Sequence, residues 1–527
     1  MGGATVGLSL AQKGMRVLFC EKGRSRLAHE SALLGAYPEQ SALAQRSSRD
    51  LLEALAAAGR CRDPWLDVTD NRRRRFVPFI GSGTGGSSAL YGMALERFHP
   101  IDFVPRDKHA DAGGSELPAA WPISYAELAP YYEQAERLFR VRGDRDPLRP
   151  DEVTGYVGPA PALGSAGSEV WRFLEKNGMH PYRLPLACES VAGCLGCQGF
   201  LCPRPCKNDS ARACLVPALS RHDAVLLDEC VVESLEADAT RVTAARVRRR
   251  GGEMVLRADV FILAAGALES PRILLRSRST AWPQGLANRS GLVGRNLMRH
   301  FVDLWVVETE APVDPDAGTK ELAFNDFYGA SGASLGSVQS FGRMPPAAVV
   351  LGEKLLSAGR SRKAIAASFR VATPVVERVM KRMFSRGVVL ASIVEDLPYR
   401  ENGVHPADGA SDVATLSYRL HPEAGGRIET MRARMKTLLQ PCRPRLLRQA
   451  ENNQRLAHVC GTCRFGATPE DSVLDPSNRA HGVDNLYVAD ASFFPSSGGT
   501  NPGLTIAANA LRVADLIASG PHSGSGG

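Results

Sequence analysis

The sequence predicts an α/β fold: a Rossmann-like nucleotide-binding domain, lacking its first strand, joined to a second domain built on an antiparallel sheet. Three observations carry this. Gly2 and Gly3 open an Ala/Leu-rich helix leading into the apolar run Arg16-Val17-Leu18-Phe19-Cys20, which closes at Glu21. A second apolar run, Val260 to Ala264, passes through Ala265 and Gly266 into another helix. From about residue 301 to 440 the pattern changes to alternating apolar and polar residues.

At 527 residues the chain can bury a large core, in one large domain or two closely joined ones. A hydrophobic content of 44% and a charged content of 23% are ordinary for a globular protein. The net charge of +8 is modest for this size and not confined to a tail, so no nucleic-acid partner is expected. No apolar run reaches transmembrane length, and no secretory signal follows Met1, which makes a cytoplasmic location the expectation. Twelve cysteines without such a signal favour reduced thiols or metal ligands over a disulfide framework.

In a dinucleotide-binding βαβ unit, glycines bring the backbone close to a pyrophosphate, and an acid about 20 residues on takes the ribose hydroxyls. Gly3 stands where the last glycine of G-x-G-x-x-G belongs, Gly2 is its neighbour, and Glu21 is the acid. The first strand and the first two glycines are missing, which predicts that Met1 is an internal methionine of a longer natural chain. Residues 24 to 80 are polar and Arg-rich and read as a solvated face. Gly81 to Gly92, with Gly85, Gly86, Ser87, Ser88 and Tyr91, is a glycine-rich loop of the kind that meets a ligand through N–H groups. An apolar run, Ala89 to Leu95, starts within it, so it is no flexible linker. Trp121 to Tyr125 opens a helix rich in Glu and Tyr.

Cys194, Cys197, Cys202 and Cys206 put four thiols within thirteen positions, among glycines and prolines. Such spacing lets thiolates converge on one centre. Three readings stand: an iron–sulfur centre, a zinc or structural thiol cluster, or buried cysteines. Residues 223 to 259 read as meander strands at Val225–Leu227, Val231–Val232 and Val242–Val247. Beyond residue 300, strands are expected at Phe301–Glu308, Val388–Glu395 and Val413–Leu420, forming a sheet that roofs the site. Between them Glu353 to Arg386 carries nine Lys or Arg against two Glu, with apolar residues interleaved. It reads as a solvated face, with a membrane surface or an acidic partner as the interaction alternative.

Leu486, Tyr487 and Val488 form a short buried strand ending near Asp490 and Ala491. The loop Ser496 to Thr500 follows, then Asn501, and Pro502 suits the first turn of a helix from Leu504 to Ile517. His458 lies in its own Gly-flanked turn. A His and an Asn offered from two loops suggest a site that removes a hydroxyl proton and holds the oxygen.

His458-Val-Cys-Gly-Thr-Cys-Arg-Phe-Gly466 and the segment around Asp490 to Pro502 resemble the C-terminal signature of the glucose–methanol–choline (GMC) family of flavin oxidoreductases. The likeness runs through almost the whole chain and is weak from about Asn325 to Gly387. It implies bound FAD, with His458 as catalytic base and Asn501 completing the pair. It places Gly2, Gly3, Glu21, the loop from Gly81 to Gly92, Ala265, Asp490, Ala491 and Pro502 at the cofactor, and Val232 near the adenine. His300 is implied to be structural, away from the chemistry. Cys197, Cys202 and Cys206 match the [3Fe–4S] ligands in the catalytic subunit of bacterial flavin glucose dehydrogenases, whereas Cys194 departs from that spacing.

The implied layout is a mainly FAD-binding part over 1–300 with a Cys-rich loop at 188–214, a substrate cap over 301–440, a completing segment over 441–519, and a tail over 520–527. The implied reaction is oxidation of an alcohol or sugar CH–OH group, with hydride passing to flavin N5 and electrons to an acceptor other than oxygen, such as a partner protein. The alternatives are an oxygen-using oxidase, a flavin lyase or isomerase, and a non-catalytic flavin-binding partner.

Overall fold

The computed structural model describes residues 1–520 apart from 28–31, 41–47, 111, 314–319, 330–333, 347–348, 350–373, 376–377, 380–386, 407–412 and 453–455. Two short parallel strand pairs form its nucleotide-binding layer. Leu18–Cys20 lies beside Val225–Leu227, and Leu486–Val488 beside Phe261–Leu263; each pair is a separate two-stranded sheet. Val225–Leu227 is therefore not part of the meander, which consists of Cys230–Ala237, Val242–Arg249 and Gly252–Leu256. Propensity alone does not distinguish the two, because partner choice is a long-range property.

Helices Gly2–Gln12 and Gly503–Ser519 pack on each other against this layer. Their small residues allow close approach: a Cβ at Gly2 would fall 1.5 Å from the Ala489 carbonyl oxygen, so only glycine fits there. Helix Tyr125–Leu138 packs on Gly503–Ser519. It opens with a capping box, in which Ser124 accepts from the Glu127 amide at 3.2 Å and the Glu127 carboxylate accepts from the Ser124 amide at 2.7 Å.

The roof is a six-stranded antiparallel sheet in the order Arg445–Leu447, Phe301–Glu308, Gly387–Val394, Val338–Ser340, Leu322–Phe324, Tyr182–Arg183. Its central register runs from Phe301 opposite Val394 to Glu308 opposite Gly387. Helix Pro422–Leu439 backs the sheet, burying Ile428, Met431 and Met435 against Trp305 and Leu390. The sheet recruits strands from before residue 300 and after residue 440. The expected strand at Val413–Leu420 is shorter, Ala414–Ser417, and belongs to a different sheet, where it runs parallel to Trp65–Asp67. Of the basic segment Glu353–Arg386 only 374–375 and 378–379 are described, so its proposed contacts lie outside the described residues. Among the described residues no helix is long and apolar enough to cross a membrane.

Two buried arrangements fix the loops around the site. Trp121 packs against Phe103, Phe465 and Phe494 with ring centroids 4.7, 5.5 and 5.7 Å away, and its Nε1 donates to Ser496 Oγ at 2.7 Å. One side chain thus joins the loop after His458 to the loop before Asn501. Deeper, the Lys108 ammonium sits 2.6 Å from Asp102 and 2.5 Å from Glu395, all three fully buried. Asp102 also accepts from the Tyr328 hydroxyl at 2.7 Å, which in turn accepts the Gly499 amide at 2.7 Å.

Candidate active site

All the residues expected at the cofactor, together with His458 and Asn501, line one continuous cavity of about 2490 Å³. That exceeds the roughly 300–1,000 Å³ of an ordinary small-ligand pocket. The first residues of three helices, Gly2, Gly266 and Gly503, are part of the lining, which turns positive dipole ends toward a space that suits a diphosphate. The loop around Gly83, Gly85 and Gly86 has φ of 114°, 87° and 50° and leads into the turn Gly86–Ala89. The Glu21 carboxylate accepts the amides of Gly23 at 2.8 Å and Gly83 at 2.9 Å, bringing the strand end and the glycine loop together. Asp490 joins two βα turns, accepting from Gly266 at 2.8 Å and Ser270 at 2.5 Å through one oxygen and from Ser492 at 2.8 Å through the other. Glycine loops, helix ends and an acid at the strand end are a donor set that fits FAD.

His458 takes the left-handed conformation, φ 55°, which costs a non-glycine residue about 1 kcal/mol or more. Antiparallel bonding of Met298 with Cys460, 3.0 Å in both directions, brings the segment ending at His300 alongside it. His300 Nδ1 lies 2.9 Å from His458 Nδ1, and His300 Nε2 lies 3.1 Å from the Ser497 carbonyl oxygen. A carbonyl only accepts, so His300 Nε2 carries the hydrogen. Burial holds the His300 imidazolium below its usual range, so the ring is neutral and its Nδ1 accepts. His458 Nδ1 must then donate, which leaves the lone pair on His458 Nε2. Burial first, then the neighbouring His300 ring, which would repel a second imidazolium, and the Lys320 ammonium, push the His458 imidazolium well below the usual histidine range. His300 is thus in direct contact with the expected base rather than away from the chemistry.

Asn501 is buried immediately before the cap residue Pro502 of helix Gly503–Ser519. Its Nδ2 donates to Glu96 at 3.2 Å and to Gln339 at 3.2 Å. Glu96 also accepts from Thr500 at 2.9 Å and from Tyr182. Lys320, Gln339 and Glu96 carried no motif. Lys320 and Gln339 lie in the roof region, Gln339 within the stretch where the family likeness is weak, and both line the cavity. Glu96 had one overlooked signal, an acid closing the apolar run that ends at Leu95.

The cysteines expected as metal ligands do not line the cavity. Cys194, Cys202 and Cys206 come together, Cys188 joins them, and Cys197 stands beside Cys202.

A glycine-lined nucleotide cavity, roofed by a sheet and furnished with a neutral histidine, defines a flavin-dependent oxidoreductase. The chain belongs to the GMC oxidoreductase family: models of that family match residues 15–302 and 423–510. It is 29% identical over 542 residues to 6'''-hydroxyparomomycin C oxidase of Streptomyces lividus, covering 98% of this chain and 89% of that one. It is 30% identical over 471 residues to paromamine 6'-oxidase of Streptomyces fradiae, covering 84% and 79%. Pyridoxine 4-oxidase from Mesorbium loti shares the fold with a TM-score of 0.64 at 21% identity, over 99% of this chain and 98% of that one.

Proposed function

We propose that this protein oxidises a CH–OH group of an alcohol or sugar-type substrate, with His458 as the base. The observation that carries the reading is the hydrogen-bonded order from the Ser497 carbonyl through His300 to His458, which reserves His458 Nε2 as a proton acceptor in the cofactor cavity. His458 Nε2 takes the hydroxyl proton, and Asn501 Nδ2, on exchanging its Glu96 or Gln339 acceptor for the substrate oxygen, donates to that oxygen as negative charge develops there. Bound FAD supplies the two-electron acceptor for the hydrogen on carbon. The names of the two Streptomyces relatives support a hydroxyl-bearing small molecule as substrate.

Anaerobic mixing of the FAD-loaded protein with a panel of polyols and sugars tests the reading, because a substrate bleaches the flavin. A flavin left oxidised by every alcohol would sink it, and turnover with no electron acceptor present would mark a lyase or isomerase instead. Asn501→Ala is expected to slow bleaching by about 10²-fold.

The electrons are assigned to an acceptor other than oxygen, such as a partner protein. Oxygen is the second reading, favoured by the names of the same two relatives, both oxidases. Reoxidation rates of the reduced protein in aerated buffer and with a quinone separate the two.

Lys320 offers a test by pH. Burial lowers its ammonium to about 8, and at neutral pH its charge disfavours a proton on His458. Lys320→Met removes that repulsion, so the His458 pKa rises and the base is lost at a higher pH. The acid limb of the flavin-reduction profile is therefore expected to move to higher pH. A limb that stays in place would detach Lys320 from His458.

A further inference from the structure

Outside the cofactor cavity, a dense group of reactive side chains among the described residues is the thiol cluster of the loop that follows strand Tyr182–Arg183. Cys188, Cys194 and Cys206 hold their sulfurs within 4.8 Å of one another. Cys188 and Cys194 are 3.8 Å apart and Cys194 and Cys206 3.7 Å; Cys202 is 3.4 Å from Cys206 but lies outside the mutually close group of three. All four are free thiols, far outside the roughly 2.05 Å of a disulfide.

These separations carry information. A zinc ion with four thiolates at about 2.3 Å has its sulfurs at the corners of a tetrahedron whose edges are about 3.8 Å. In an iron–sulfur cluster each cysteine binds a different iron and points away from the centre, so the ligand sulfurs stand farther apart than one ion's edge. The backbone also suits a metal site: Ser190, Gly193 and Gly196 all have positive φ (47°, 71° and 53°), folding the chain tightly around Cys194. The Ser190 amide donates to Cys188 Sγ at 3.4 Å, the kind of N–H bond that orients a ligating sulfur.

We propose that Cys188, Cys194 and Cys206 bind a single thiophilic ion of the zinc class, with Cys202, beside Cys206, turning in as the fourth ligand, and that the ion clamps this loop onto the glycine-rich loop of the cofactor cavity. Three bonds transmit the clamp. Lys207 Nζ donates to the Ala89 carbonyl at 2.8 Å, the Gly199 amide to the Leu90 carbonyl at 2.7 Å, and the Tyr91 hydroxyl to the Asn208 carbonyl at 2.7 Å. The ion is structural and takes no part in electron transfer. Cys197 lies outside the ligand set, which separates this site from the set read from sequence spacing.

Elemental analysis and an acid-labile sulfide assay on the purified full chain test the assignment. The expected result is about one zinc per chain and no inorganic sulfide. Exchange with Co²⁺ should give the visible d–d bands and near-ultraviolet charge transfer of a tetrahedral thiolate site. Cys194→Ser is expected to lose most of the metal and to release FAD more readily, whereas Cys197→Ser keeps both. Iron accompanied by sulfide, or a folded metal-free chain with all four thiols titratable, would overturn the proposal. The wild-type metal and cobalt measurements decide it even where the serine variant does not fold.

Discussion

Replacing His458 by alanine is expected to slow reduction of the bound flavin by alcohol by about 10²- to 10⁴-fold, the range lost with a general base. FAD content should not change. The cofactor cavity is shaped by glycine loops and helix starts remote in sequence from His458, so the variant removes a proton acceptor and leaves the cradle intact. Single-turnover mixing without oxygen isolates the step. The acid limb of its pH profile should disappear with the imidazole whose Nε2 is the proposed proton acceptor, while His300 stays held through Nε2 on the Ser497 carbonyl. An unchanged rate in the variant would remove His458 from the mechanism.

Lys108→Met should cost about 3–5 kcal/mol of stability, the loss seen when one partner of a buried ion network is deleted. Asp102 and Glu395 would remain with no ammonium between them. The damage should also reach the active-site loop, since Asp102 anchors Tyr328 and Tyr328 takes the Gly499 amide. Denaturant titration measures the loss. Adding Glu395→Gln to Lys108→Met should recover part of it by removing one stranded charge. A single variant within about 0.5 kcal/mol of wild type would mean that the three groups do not depend on one another.

The strands flanking the cavity were legible because each is a short apolar run that ends at a glycine or an acid. Leu486–Val488 and Phe261–Leu263 fall where the pattern puts them. What stayed hidden was pairing. Ala414–Ser417 alternates like a roof strand yet joins Trp65–Asp67, and Tyr182–Arg183, two residues long, gives no signal for its place at the roof's edge. Register and partner depend on residues hundreds of positions away, which periodicity does not encode.

The site divides in the same manner. His458 and Asn501 announce themselves by motif, whereas Lys320, Gln339 and Glu96 become neighbours of the chemistry only through folding. Cys188 was missed because it lies outside the tight run from Cys194 to Cys206, and strand-like bonding opposite Lys207 returns it.

The pairing of His300 with a carbonyl also constrains where charge can go after the reaction. Two imidazoles in contact could pass a proton inward, but here the far nitrogen ends on Ser497, whose oxygen cannot hold one and hand it on. The inner route is a dead end. A proton captured at His458 Nε2 must leave by the side on which the substrate arrived. Regeneration of the base and departure of the oxidised product then share one exit. Agents that slow product escape, such as viscous co-solvents, should slow recovery of the neutral imidazole with it.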